Sequence, residues 1–463
     1  MHEVNNDTWR VAVVGSGPSA FYTAEALFKA APNVQVDLFD RLPVPFGLVR
    51  GGVAPDHQKI KSVVKVYDKI AASPGFRFFG NVCVGRDLHV ADLAGRYHQI
   101  VYAYGCESDQ KLGTPGEELA GVHSATEFVG WYNAHPDHRD RTFDLARAER
   151  VALVGNGNVA MDVARVLLAS PDELAATDIA DHALATLRHS RVREVVLLGR
   201  RGPAQAAFSP KEIEEIAELR DVDVVVSAAD ARLDPLSAEW LARDGARSQQ
   251  RNVKFLQDRA ALGPGTRPKQ LVCRFLVAPT ELLGDAGRLR AVRVQHMQLV
   301  ADADGTPRPR PAGTSEELAA DLLFKAIGYR GVPLPGVPFD EKKGIVPNVD
   351  GRVVESPGGA VRVGHYVAGW CKRGPTGLIG TNSLDAKATV EGMLADRSAG
   401  RTLPAKGGDV TELLASRHID AVSWHDWQRL DAWEQEQGRS RGKLRHKLPS
   451  IEQLMQVVRE LRG

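Results

Sequence analysis

Cysteine is scarce in this sequence, and the few that occur stand far apart. Cys83, Cys106, Cys273 and Cys371 are all there are in 463 residues, and no CxxC or CxxxxC spacing joins any two. That excludes a dithiol redox pair or a zinc site by spacing, and iron–sulfur ligation would need clustered thiolates. Four buried thiols in a reducing compartment are the expectation. Long apolar runs are missing too, so no segment approaches the length of a membrane span. The opening MHEVNNDTWR lacks a basic stretch followed by an apolar core and does not read as a secretory leader. A charge excess is also absent. The formal net charge of +1 exerts no overall pull toward nucleic acid or membrane, which leaves any charged docking surface local. Histidines such as His123 and His425 show no ligand spacing, no metal site is expected, and no heptad pattern points to an oligomer. A cytoplasmic monomer is the resulting expectation.

What is present is a pair of glycine turns. Residues 9–14 (WRVAVV) form a β-rich run that stops at Gly15-Ser16-Gly17-Pro18-Ser19-Ala20, with a helical pattern from Phe21 to Ala30. A GxGxxA between strand and helix is a dinucleotide-binding turn. Gly15 permits the tight bend, Gly17 lets the backbone approach a pyrophosphate, and Ala20 lets the helix pack on the strand. The helix start then offers free N–H groups to phosphate. The next strand, residues 34–39, ends in Asp40, 25 residues after Gly15, where an acid accepts hydrogen bonds from ribose hydroxyls.

The pattern recurs at residues 150–154 (RVALV), followed by Gly155-Asn156-Gly157-Asn158-Val159-Ala160 and a helix to about Ala169. Here the following strand, residues 194–198, ends in Gly199-Arg200-Arg201-Gly202 with no acid. Two guanidiniums at the ribose edge suit a 2′-phosphate, which assigns NADP to this turn and leaves FAD for the first. Arg200 lies 45 residues after Gly155, about twice the usual interval. The excess, residues 170–191, reads as a polar, mostly helical insertion on the outer face. Strands at residues 99–104 and 322–327 are each followed by glycine and then a proline- or turn-rich crossover. One α/β unit is therefore expected inside another: two Rossmann-like dinucleotide-binding domains, with an NADP domain at 113–324 inserted into an FAD domain made of 1–112 and 325–463. Late in the chain, the strand leading to Gly369-Trp370 lacks the Gly-Asp ending of many two-dinucleotide flavoproteins, which argues against the disulfide reductase branch. Residues 424–461 read as helices covering the FAD domain, and the basic run 439–447 (RSRGKLRHK) as a solvated terminal face or a docking element.

Four long motifs, PFGLVRGGVAPDHQKIK, GNGNVAMDVARVLL, GRRGPAQAAFSPKE and GWCKRGPTGLIGTN, follow in that order. Together they resemble the adrenodoxin-reductase-like ferredoxin–NADP reductases, in the pattern of the actinobacterial members, over nearly the whole chain to about residue 400. The resemblance implies an NADPH-dependent flavoenzyme that passes electrons through FAD to a small acidic iron–sulfur ferredoxin, feeding acceptors such as cytochrome P450. It implies FAD contacts from Ser19, Asp40, Leu48, Val84, Trp370 and Gly377 to Ile379, Leu378 included. NADP contacts would come from Asn156, Gly157, Asn158, Val159, Arg200, Arg201 and Glu212, with Gly377 near the nicotinamide. His57 and Glu215 look like the pair the family keeps at the flavin–nicotinamide junction. The family more often carries Glu where this chain has Asp40. Without the resemblance, residues 211–215 would read as a solvated charged helix. Competing readings are another NADPH flavoprotein, of the glutamate synthase small-subunit or monooxygenase type, and a non-catalytic NADP-binding sensor.

Overall fold

The computed structural model describes residues 8–463; the opening residues 1–7, which do not read as a secretory leader, lie outside the described residues. Two parallel sheets organise the chain. The first has seven strands, in the order Asn348–Val349, Arg352–Val354, Val361–Val367, Gln99–Tyr102, Trp9–Val14, Val34–Phe39 and Phe76–Phe79. Its last five run parallel, while the two short edge strands are antiparallel. The second has six strands, all parallel, in the order Val122–Ser124, Leu322–Lys325, Arg150–Val154, Glu194–Gly199, Lys269–Phe275 and Val222–Val226. Helices cover the faces of such sheets, which is why their central strands (VAVV, VALV) are continuous apolar runs and not alternating ones.

Strands on either side of the second unit belong to the first sheet, so one α/β unit interrupts the other. The two crossovers run side by side. Tyr329–Arg330 pairs antiparallel with Ser108–Asp109, and Lys325 reaches Glu117 at 2.6 Å. A three-stranded antiparallel sheet (Val277–Asp285, Arg288–Ala301, Pro307–Ala319) follows the second sheet's strand Lys269–Phe275.

Several boundaries move. The first helix begins at Pro18, three residues earlier than its apolar pattern, because proline lacks an N–H and costs nothing at a helix's first position. The strands expected at 99–104 and 322–327 end at Tyr102 and Lys325. The helix whose pattern starts near Asn382 begins at Ile379 and runs to Ser398.

Two readings are corrected. Residues 170–191 are not a polar appendage: Leu174, Ile179, Ala180, Ala183 and Leu187 are buried in the core of the second unit. The basic run 439–447 is only in part a solvated face: Arg439 and Arg441 are exposed, while Lys443 and Lys447 are buried. The two segments pair with each other. Asp178 and Asp181, in the segment misread as an insertion, are the acids that pair with this run. Lys447 lies 3.0 Å from Asp178, which also takes Lys61 at 2.7 Å. Asp181 takes Lys443 at 2.5 Å, Arg441 at 3.1 Å and His446 at 3.0 Å. Burial alone would raise Asp178; the charges of Lys447 and Lys61 hold it well below the usual carboxylate range.

The C-terminal helices Trp424–Arg439 and Ile451–Arg462 cover the first sheet, as expected. Trp427, Leu430, Leu454 and Met455 pack into its core beside Phe21, Phe46 and Tyr67. Of the four cysteines, all free, Cys83 is only half-buried while the other three are buried.

Candidate functional site

A cavity of about 1200 Å³ runs between the glycine turns of the two sheets. On the first side it is lined by Gly15, Gly17, Ser19, Asp40, Leu48 and Val84. On the second side it is lined by Gly157, Asn158, Val159 and Glu212, and across the late loop by Trp370, Gly377, Leu378 and Ile379. His57 lines it as well. Asn156, Arg200, Arg201 and Glu215, also expected as site residues, do not.

The two turns are built alike. Gly15 has φ +110° and Gly155 φ +123°, the left-handed region that side chains avoid. A Cβ on Gly15 would stand 2.5 Å from the Ala103 carbonyl oxygen, and one on Gly155 would collide with the Ala326 carbonyl in the same way. These glycines let a neighbouring strand pass. Gly17 and Gly157 differ. Both are extended, and a Cβ on either would meet no described atom within 4 Å, so both form a cradle with room for close approach at a helix N-terminus. A pyrophosphate fits such a cradle by close backbone approach.

Asp40 closes the first turn. Its Oδ2 accepts the Ser16 amide at 3.1 Å and its Oδ1 the Leu42 amide at 2.9 Å, and burial raises its carboxyl. Ser19 donates to Asn382 at 3.1 Å. The Gly369 amide, next to Trp370, donates to Asp385 at 2.5 Å, and Asp385 also pairs with Lys372 and Arg373. Asp385 thus supplies a carboxylate at a loop where the sequence Gly-Trp seemed to have lost one. At the second strand's end, Arg200 and Arg201 are exposed. Among the described residues neither guanidinium has a carboxylate partner, which leaves both available to an anion.

His57 marks where the two units meet. Its Nε2 lies 2.8 Å from Glu215 and 3.7 Å from Glu212, so the helix Pro210–Glu218 is not the solvated charged helix its residues alone describe. Glu212 is buried. Three groups missed in the sequence complete the cluster. Arg165 holds Asp56, Asp162 and Glu212, and the pair Asp162 and Arg165, three residues apart within the otherwise apolar helix Asn158–Leu168, was the available signal. Burial pushes Asp162 up, and burial with the neighbouring Asp162 does the same to Glu212. Against burial, Arg165 holds Asp56 down, and hydrogen bonds from Lys211 and His57 hold Glu215 down. The cluster therefore sets two carboxyls raised by burial beside two held down by their basic neighbours. His57, Glu212 and Glu215 come within 4.8 Å of one another, a metal-like grouping, but Arg165 and Lys211 already supply the positive partners.

No protein-family model matches the chain. It is 45% identical over 459 residues to the NADPH-ferredoxin reductase FprA of Mycobacterium tuberculosis, covering 96% of this chain and 98% of that protein. It is 40% identical over 465 residues to the mitochondrial NADPH:adrenodoxin oxidoreductase of Bos taurus, covering 97% and 92%. The solved structure of Mycobacterium tuberculosis FprA in complex with NADPH superposes with a TM-score of 0.90 at 44% identity, over 98% of this chain and all of that one. Two glycine cradles on one cavity, an arginine pair at the second and end-to-end similarity to these relatives agree: the chain belongs to the adrenodoxin-reductase-like ferredoxin–NADP reductases.

Proposed function

We propose that this protein oxidises NADPH and passes the electrons through FAD to a small iron–sulfur ferredoxin. The observation that carries the reading is the single cavity that joins both glycine cradles and has His57 and Glu212 where the two units meet. When bound, FAD would supply the two-electron to one-electron conversion that such a transfer needs. The chain's own residues bind, orient and shield. Gly17 and the amides after it receive the FAD pyrophosphate, and Asp40 the ribose. Leu48, Val84, Trp370 and residues 377–379 wall the flavin side and exclude water. Gly157 to Val159 receive the NADP pyrophosphate, Arg200 and Arg201 its 2′-phosphate, and Glu212 and Gly377 border the nicotinamide. His57 and Glu215 hold a proton at the junction. Domain boundaries at 112/113 and 324/325 are supported by the paired crossovers just outside them.

The partner is an acidic carrier, and a local basic surface would meet it. Of the arginines spread over the second unit, Arg188, Arg191, Arg243 and Arg251 are already paired with Asp172, Glu149, Asp244 and Glu214. We further propose a cytoplasmic monomer; among the described residues no helix is long and apolar enough to cross a membrane.

The test is steady-state reduction of a two-iron ferredoxin with cytochrome c as final acceptor, comparing NADPH with NADH. A strong NADPH preference is expected. Replacing Arg200 and Arg201 by alanine should remove it, raising the KM for NADPH by about tenfold to hundredfold for each charged hydrogen bond lost and leaving NADH unaffected. Dye reduction without transfer to any ferredoxin would overturn the proposed acceptor.

A further inference from the structure

Arg165 is buried and does not line the cavity, yet its guanidinium organises the surroundings of His57. Nε and Nη2 grip both oxygens of Asp56 at 2.6 and 3.1 Å. Nη1 reaches Glu212 at 3.1 Å, and Nη2 reaches Asp162 at 2.6 Å. The same Nη2 lies 3.4 Å from Nδ1 of His57. A guanidinium offers N–H donors and no acceptor, so toward Arg165 a ring nitrogen can only accept, here as a third partner of an Nη2 whose two hydrogens also serve Asp56 and Asp162. At the other end of the ring, Nε2 faces the carboxylate of Glu215 at 2.8 Å. An ionised carboxylate only accepts, so Nε2 has to donate. Both ends of the ring require the same tautomer.

We propose that Arg165 is a positioning residue, which keeps neutral His57 in the Nε2–H form and aims that proton at Glu215 across the boundary between the two dinucleotide domains. The proposal rests on the reading of His57 as the residue at the flavin–nicotinamide junction. Asp162 sets the competing state. Its Oδ1 lies 3.5 Å from Nδ1 and could accept a proton placed there, but only at the limit of hydrogen-bond reach and beside the much shorter bond from Nη2 of Arg165 at 2.6 Å. Lys211, 2.7 Å from Glu215, keeps that carboxylate an acceptor. Asp56 directly precedes His57, so the two-point grip on Arg165 also ties the histidine's loop to the helix Asn158–Leu168 of the other domain. A proton on one chosen nitrogen, pointed in one direction, is what a junction histidine needs to be useful.

Nitrogen NMR of the ¹⁵N-histidine-labelled FAD-bound enzyme tests this, with the His57 signals assigned by their loss in His57→Gln. With the pH set so that the imidazole signals are those of the neutral ring, Nε2 is expected to be protonated and Nδ1 bare, and Arg165→Lys to shift the proton partly or wholly to Nδ1. A protonated Nδ1 in the parent enzyme, or an unchanged tautomer in Arg165→Lys, would overturn the proposal. Should Arg165→Lys fail to fold, Asp56→Asn loosens the same guanidinium from one side and carries the same comparison. A kinetic cycle adds a second readout. Arg165→Lys is expected to slow flavin reduction by NADPH about tenfold to hundredfold, but less than about twofold when His57 is already glutamine. Equal losses in both backgrounds would reduce Arg165 to a structural residue. If His57→Gln alone leaves flavin reduction unchanged, the functional reading of His57 fails, while the tautomer measurement still decides what Arg165 does.

Discussion

Replacing Asp178 by asparagine is expected to destabilise the protein by about 3–5 kcal/mol, the range for breaking a buried ion pair from one side. Lys61 and Lys447 both lean on this carboxylate, at 2.7 and 3.0 Å. Without its charge, two buried ammonium groups are left facing each other. Lys447 keeps only neutral partners, the carbonyl of Arg50 and the side chain of Asn133, and burial already pulls its ammonium well below the ordinary lysine range. Urea unfolding followed by flavin fluorescence and by far-ultraviolet circular dichroism measures the loss. Lys61→Met/Asp178→Leu/Lys447→Met should recover most of it, because an ion cluster replaced as a whole by apolar side chains leaves no charge stranded. A triple variant no more stable than Asp178→Asn would show that the cluster is not the source.

The sign with pH follows from the depressed carboxyl. Asp178 binds its proton less readily folded than unfolded, so its contribution is complete above the unfolded value of about 4. It fades as the pH falls from there toward the folded value, and Asp178→Asn should flatten the acid limb of the stability profile. Function is attached to this cluster as well. Lys61 ends the helix Gln58–Lys61 that begins beside His57, and Arg50, on the cavity wall, is held by the fully buried Glu434 at 2.5 and 2.8 Å. The tail thereby secures two segments that line the site.

The second large effect separates two glycines of one motif. Gly15→Ala is expected to cost more than about 2 kcal/mol, since φ +110° and a Cβ 2.5 Å from the Ala103 carbonyl oxygen leave no room without moving a strand. Gly17→Ala should leave the fold intact or stabilise it by about 0.4–1 kcal/mol through the unfolded chain, because its backbone is extended and its Cβ meets nothing. That added methyl would stand where the pyrophosphate needs to approach, so FAD affinity should fall at least about tenfold. Thermal unfolding of the flavin-free proteins and fluorescence titration with FAD check the pair. If Gly17→Ala binds FAD like the parent, the pyrophosphate does not lie against this turn.

Most of the dinucleotide architecture was legible in the residues because it is local. Strand, glycine turn and helix lie within about twenty consecutive positions, and the positive φ of Gly15 and Gly155 and the extended backbone of Gly17 and Gly157 belong to the turn itself; Asp40 follows one strand later, and the crowding of Gly15 by Ala103 and of Gly155 by Ala326 comes from strands remote in sequence. The arginine pair at 200–201 is local in the same sense, since it follows the strand that ends at Gly199. His57 and Glu215 were not legible in this way: 158 residues separate them, and only the resemblance joined them.

What the sequence by itself determined is therefore the two cradles, their order, and the nesting of one α/β unit in another. Tertiary structure decided which charges find each other. Arg165 and Asp162 take their meaning only where the domain boundary brings Asp56 and His57 against them. Asp178 and Lys447 stand in segments that separately read as a surface insertion and an exposed tail. A charge carries no mark of its partner in the chain, and its meaning depends on whether a carboxylate or water stands beside it. That is set by packing between units remote in sequence, and no periodicity records it.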